Sequence, residues 1–166
     1  DVESKNVDKV LRRFHVPQKL RWKLIAKTSR DNARTPFQWE GGEGAGFTSA
    51  RPWLGINHNC AAINLADQEG DEDSIWSWYK DLSALRRQRE ALRRGDFLWL
   101  EATHKVFVYR RRLGAESVTV ALNFSSRPAR VGSRGTLLRS NYRREGFDGR
   151  LSPWEAVILE DRAGEM

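Results

Sequence analysis

The spacing of apolar residues changes period at Gly95, and that change limits what this chain can fold into more than any other feature. Upstream, Ile75, Trp78, Tyr79, Leu82, Leu85 and Leu92 recur at i, i+3, i+4 and i+7, which predicts an amphipathic helix over residues 73–94. Asp71, Glu72 and Asp73 are expected to cap its N-terminus and oppose its positive end, the arginines from Arg86 to Arg94 sit near its negative end, and Gly95 is expected to supply a left-handed C′ position. Downstream the period is two. Residues 97–101, 106–111 and 118–124 read as strands, the last setting Val118, Val120, Leu122 and Phe124 against Thr119, Ala121 and Asn123. Residues 137–142 and 155–160 are further candidates, with a hairpin at Gly114 and a turn at 125–128. Helical chain followed by alternating strands predicts an α+β chain, divided near Gly95 into residues 1–95 and a small antiparallel β unit at 96–166.

Two shorter helical stretches precede this within residues 6–28. Val7, Val10, Leu11 and Phe14 share one face, Leu20, Leu24 and Ile25 continue, and Pro17 separates the two because proline lacks the N–H that an unbroken helix needs. From Asp31 to Asp71 periodicity disappears among glycines and asparagines, yet Phe37, Trp39, Phe47, Trp53, Leu54, Ile56, Ile63 and Leu65 are spaced through it, which predicts an ordered loop rather than a disordered one. Its first part, residues 29–39 (SRDNARTPFQW), sets guanidinium, carboxylate and amide groups beside aromatic rings, the composition of a binding loop held on a scaffold.

At 166 residues, 39% of them hydrophobic, the chain can bury a core. Its net charge of +7 invites a nucleic-acid reading, but the arginines fall in pairs and triplets at helix and strand ends without a recognisable nucleic-acid motif, so nucleic acid is not an expected partner. No apolar run is long enough to cross a membrane, residues 1–9 are too charged to begin a signal peptide, and Cys60 is the only cysteine; together these point to a cytoplasmic protein. His15, His58, His104 and Cys60 lack metal-ligand spacing, and no cofactor or metal is expected.

Several segments in order carry a family resemblance: residues 29–39, then AGFTSARPWLGIN at 45–57, AINL at 62–65, DEDSIWSWYKDLSALRRQREAL at 71–92, GDF at 95–97, VALNFS at 120–125 and LSPWEAVIL at 151–159. Together they resemble the oligo-1,6-glucosidase group of α-glucosidases in the α-amylase superfamily, glycoside hydrolase family thirteen. Phe37, Glu40, His58 and Cys60 depart from the usual pattern, which puts the turn at 56–62 in question.

The resemblance implies an α+β fragment: helices and a long loop from the end of a (β/α)8 barrel, with residues 73–94 as barrel helix eight, then a C-terminal antiparallel β-sandwich. It implies a retaining hydrolase acting on isomaltose- or maltose-type oligosaccharides. Nucleophile and acid in such enzymes are two carboxylates about 5 Å apart, borne on barrel strands upstream of this chain, so the implied partners are an N-terminal barrel and an oligosaccharide. No catalytic residue is expected here, and the 166 residues alone are expected to be inactive. Arg34 matches the arginine lining the glucose subsite, and Arg30 is a second candidate sugar contact. Asp31, Asn32, Gln38 and Trp39 are expected to hold the loop. Two alternatives stay open: a carbohydrate-binding or interaction β module built on Trp99, Tyr109 and Trp154, or a parent that is a glucosyltransferase or sucrose isomerase of the same superfamily.

Overall fold

The computed structural model describes residues 1–161, so the last five residues of the expected β unit lie outside the described residues. The chain forms two compact units, one of Asp1–Glu72 and one from Asp73 onward. This division falls one helix earlier than residue 95, because within this chain the helix packs on the sheet that follows it.

In the first unit α1 (Val2–Arg13) and α2 (Gln18–Thr28) flank the break expected at Pro17, which stands at the N-cap of α2. Asp1 caps α1 by accepting from the Glu3 amide at 3.1 Å. Arg21 ties the two helices together through Asp8 at 2.9 Å. The irregular segment contains two 3-10 turns, Arg30–Ala33 and Glu43–Gly46, and the five-residue helix α3 (Leu65–Glu69).

In the second unit the expected single helix is two: α4 (Ile75–Gln88) and α5 (Glu90–Arg94). Arg89 lies between them in extended conformation, held at 2.5 Å by Glu160 at the far end of the chain. Glu116 accepts the Ala91 amide at 2.8 Å, satisfying a donor that the start of α5 leaves open. The break lets α5 lie on the sheet. The N-cap is Ser74 rather than the acidic run before it, its hydroxyl accepting from the Ser77 amide at 3.1 Å. Gly95 is not left-handed: its φ is −63°. Glycine is needed there for room, since a Cβ would stand 2.5 Å from the Ala91 carbonyl oxygen and 2.8 Å from that of Arg112.

Among the described residues seven strands follow: β1 (Asp96–Ala102), β2 (Val106–Leu113), β3 (Glu116–Asn123), β4 (Ala129–Arg130), β5 (Thr136–Ser140), β6 (Arg150–Leu151) and β7 (Ala156–Glu160). Five of them form an antiparallel sheet in the order β1-β2-β3-β7-β5, and β4 pairs with β6. Gly114 turns the β2–β3 hairpin at a φ of 57°. Period-two alternation sends Val106, Val108, Ala121, Val157 and Leu159 to one face, where Val131 and Leu151 from the β4–β6 layer cover them. Val118, Val120 and Ile158 face the other way, against Leu85 and Ala91 of α4 and α5. The sheet is therefore sandwiched between a two-stranded layer and a helical one.

Candidate functional site

Residues 29–39 begin as a 3-10 turn that Ser29 caps, its hydroxyl accepting from the Asp31 amide at 3.3 Å. The turn ends at Arg34, whose amide donates to the Asp31 carbonyl at 3.1 Å. This geometry brings the two side chains together. Arg34 Nη1 lies 3.8 Å from Asp31 Oδ1, with the arginine about 49% exposed. That carboxylate oxygen is buried and accepts no hydrogen bond among the described residues. It is close enough to fix the guanidinium by charge while leaving the guanidinium's donors open to another ligand. Arg30 stands apart from this pair, at 3.3 Å from Glu3, with both side chains about two-thirds exposed.

The expected supporting residues make backbone ties. Asn32 donates to the Ala26 carbonyl at 2.6 Å, anchoring the turn to α2. Gln38 donates from Nε2 to the Ile63 carbonyl, and its own carbonyl accepts the Leu65 amide at 2.9 Å. Trp39 accepts the Ala66 amide at 3.0 Å, donates its amide to Ala45 at 2.9 Å and meets Phe37 edge-on at 4.7 Å. The first amides of α3 are thereby satisfied by the end of the loop. Pro36 is buried beneath it.

Asn64 was not singled out from the sequence, although it holds this arrangement. It is 3% exposed, caps α3 by accepting the Asp67 amide at 3.0 Å, and donates to the Cys60 carbonyl at 3.0 Å. Its signal was present: Asn-x-x-Asp ahead of an apolar pattern is a helix-start signature. The turn at 56–62 is closed by hydrogen bonds from the Cys60 amide to the Asn57 carbonyl at 3.2 Å and from the Ala62 amide to the Asn59 carbonyl at 2.9 Å. Among the described residues no group of three or more His, Cys, Asp or Glu side chains could hold a metal ion, and no helix is long and apolar enough to cross a membrane.

Trp99, Tyr109 and Trp154 do not form a flat platform. Trp99 and Tyr109 are cross-strand partners, but Trp99 meets Phe97 at 82° and Phe107 at 63° while Tyr109 stacks on Phe97 at 23°, so the Trp99 ring is not coplanar with the rest of the cluster. Trp154 sits apart in the turn after β6, with a φ of 59°.

Residues 3–95 match the family model for the alpha amylase catalytic domain. The chain is 35% identical to an oligo-1,6-glucosidase of Parageobacillus thermoglucosidasius over 98% of its own length and 31% of the relative's. It is 34% identical to a glucan 1,6-alpha-glucosidase of Streptococcus dysgalactiae subsp. equisimilis, over 96% of this chain and 31% of that one. Among solved structures, isomaltulose synthase from Klebsiella sp. LX3 superposes with a TM-score of 0.86 at 32% identity, over 96% of this chain and 31% of the other. The similarity thus reaches α1 and α2, beyond the motifs that begin at residue 29, while the chain spans about a third of the length of these relatives. With the family model covering more than half of the chain, the protein belongs to the alpha-amylase family.

Proposed function

We propose that this chain is the substrate-side and C-terminal portion of a retaining α-glucosidase that hydrolyses α-1,6-linked glucose oligosaccharides. Residues 1–95 form the tail of the catalytic barrel, with the helical segment at 73–94 as barrel helix eight, and residues 96–166 form the C-terminal domain. The end of the family match at residue 95 supports that division, and two relatives named for 1,6-glucosidase activity support the linkage.

The observation that carries the reading is the Arg34–Asp31 pair. A half-exposed guanidinium, beside a carboxylate whose Oδ1 accepts no hydrogen bond among the described residues and whose Oδ2 lies 2.9 Å from the Asp1 ammonium, presents planar donors suited to vicinal sugar hydroxyls. Arg34 binds the terminal glucose. Arg30 lies one 3-10 turn away and makes a weaker, outer contact. Asp31, Asn32, Gln38 and Trp39 hold the loop's shape. The carboxylate pair that performs the displacement comes from outside these residues.

Removing a charge-assisted hydrogen bond costs about 1.5–3 kcal/mol. Arg34→Ala in the intact enzyme containing this chain is therefore expected to lower kcat/KM on isomaltose by roughly 10- to 100-fold, with an unchanged circular dichroism spectrum. Unchanged kcat/KM would remove Arg34 from the site. The 166 residues alone are expected to release nothing from a chromogenic α-glucoside above a mock-purified control.

A second reading is favoured by the superposition on isomaltulose synthase: the intact enzyme rearranges sucrose instead of hydrolysing isomaltose. Chromatography of products from sucrose and from isomaltose separates the two readings.

A further inference from the structure

The ladder between β4 and β6 is two residues long and places two arginines directly opposite each other. Arg130 pairs with Arg150, and Ala129 with Leu151. Leu151 is fully buried and Ala129 packs on the same cluster, so alternation along the strands turns Arg130 and Arg150 outward together. Both are exposed. Opposed residues of an antiparallel pair have Cβ atoms about 4.5–5.5 Å apart, and like charges at that spacing are destabilising.

Arg134 stands outside this pair: it packs over Gly149, beside the buried Val131, and donates to the carbonyls of Ser133 at 3.1 Å and Val131 at 3.4 Å. The neighbouring carboxylates are engaged elsewhere. Asp148 accepts from Arg144 at 3.3 Å and from the Arg150 backbone amide at 3.0 Å, and Glu155 accepts from Arg144 at 2.7 Å. Among the described residues no carboxylate stands within ion-pair distance of Arg130, Arg134 or Arg150.

We propose that Arg130 and Arg150 form a binding site for a phosphate-class oxyanion, either the free ion or a phosphomonoester. Guanidinium forks match tetrahedral oxyanions in geometry and charge, and a dianion between the two opposed arginines offsets their repulsion. Exposure makes the affinity dependent on ionic strength.

The test is calorimetric titration of the chain with inorganic phosphate and, separately, with glycerol phosphate, at low and constant ionic strength. The double variant Arg130→Gln/Arg150→Gln is compared with Arg87→Gln/Arg112→Gln, which removes the same charge from exposed positions elsewhere. All four substitutions are at the surface, and circular dichroism confirms equal folding. Saturable binding weakened at least about tenfold in the first variant, and kept in the second, supports the site. Glycerol phosphate binding more tightly than phosphate assigns a carried phosphate group; equal or weaker binding assigns the free ion. Equal loss in both variants, or no loss in the first, or no binding of either ligand by the wild type, overturns the proposal.

Discussion

At the scale of single residues, the most consequential side chain of the second unit is Glu155, which is 1% exposed. Burial pushes its carboxyl up, but the Ser152 amide, Arg144 and the Ser140 hydroxyl together bring it below its ordinary value of 4.5. A carboxyl held low in the folded state contributes stability that is fully present above the unfolded pKa and is lost as pH falls through the folded value. Glu155→Gln is therefore expected to destabilise by about 3 kcal/mol near neutral pH, because Arg144 keeps its charge without its buried partner. The variant's urea midpoint should also vary less with pH below 4.5 than the wild type's; an unaltered midpoint at neutral pH refutes the assignment. Gly95→Ala tests a different cause. A Cβ there meets two backbone oxygens that cannot swing away, so a loss of about 1–3 kcal/mol by overpacking is expected in the same titration. Neither role was legible. Glu155 reads as one polar position in an apolar run, and its partners are 3 to 15 residues away, while the need for glycine at 95 comes from Arg112 on another strand. Arg34 and Asp31 are close enough in sequence to be read as one local motif, whereas the 3.8 Å between their charges depends on the 3-10 turn between them.

Elements were readable where the signal is local and periodic. The hairpin at Gly114, the strand alternation and the break at Pro17 each depend on a few adjacent residues, and the structure has all three. The division of residues 73–94 into α4 and α5 was not readable, since Leu85 and Leu92 keep helical spacing across it. What breaks the helix is Arg89 reaching Glu160, 71 residues on. The start of α4 was misassigned for a related reason: three acidic residues favour a helix N-terminus over a whole turn, whereas one hydroxyl at the right dihedral angles makes the cap. Ser74→Ala is accordingly expected to cost about 1 kcal/mol, and Asp73→Asn less. Thermal unfolding followed at the helical band ranks the two, and the reverse order would return the cap to the acidic run.

On the scale of the molecule, large apolar side chains are exposed in both units: Phe14 just after α1, Trp22 on α2, Trp53 in the long loop, Ile75 and Tyr79 on α4, and Trp99 on the edge strand β1 are each more than 60% exposed. In the first unit only Pro36, Ala45 and Asn64 are buried among the described residues, so its loop is held by hydrogen bonds and caps rather than by a core. Scattered apolar residues are ordinary on a soluble surface, but contiguous ones on a helix face or an edge strand mark surfaces that normally meet something. The 166 residues alone are therefore expected to self-associate. Sedimentation velocity across the micromolar range should show a weight-average mass rising with concentration, and Trp99→Lys, which places a charge on the edge strand, should lower it. A chain that stays monomeric throughout would show that these apolar faces are too divided to drive association.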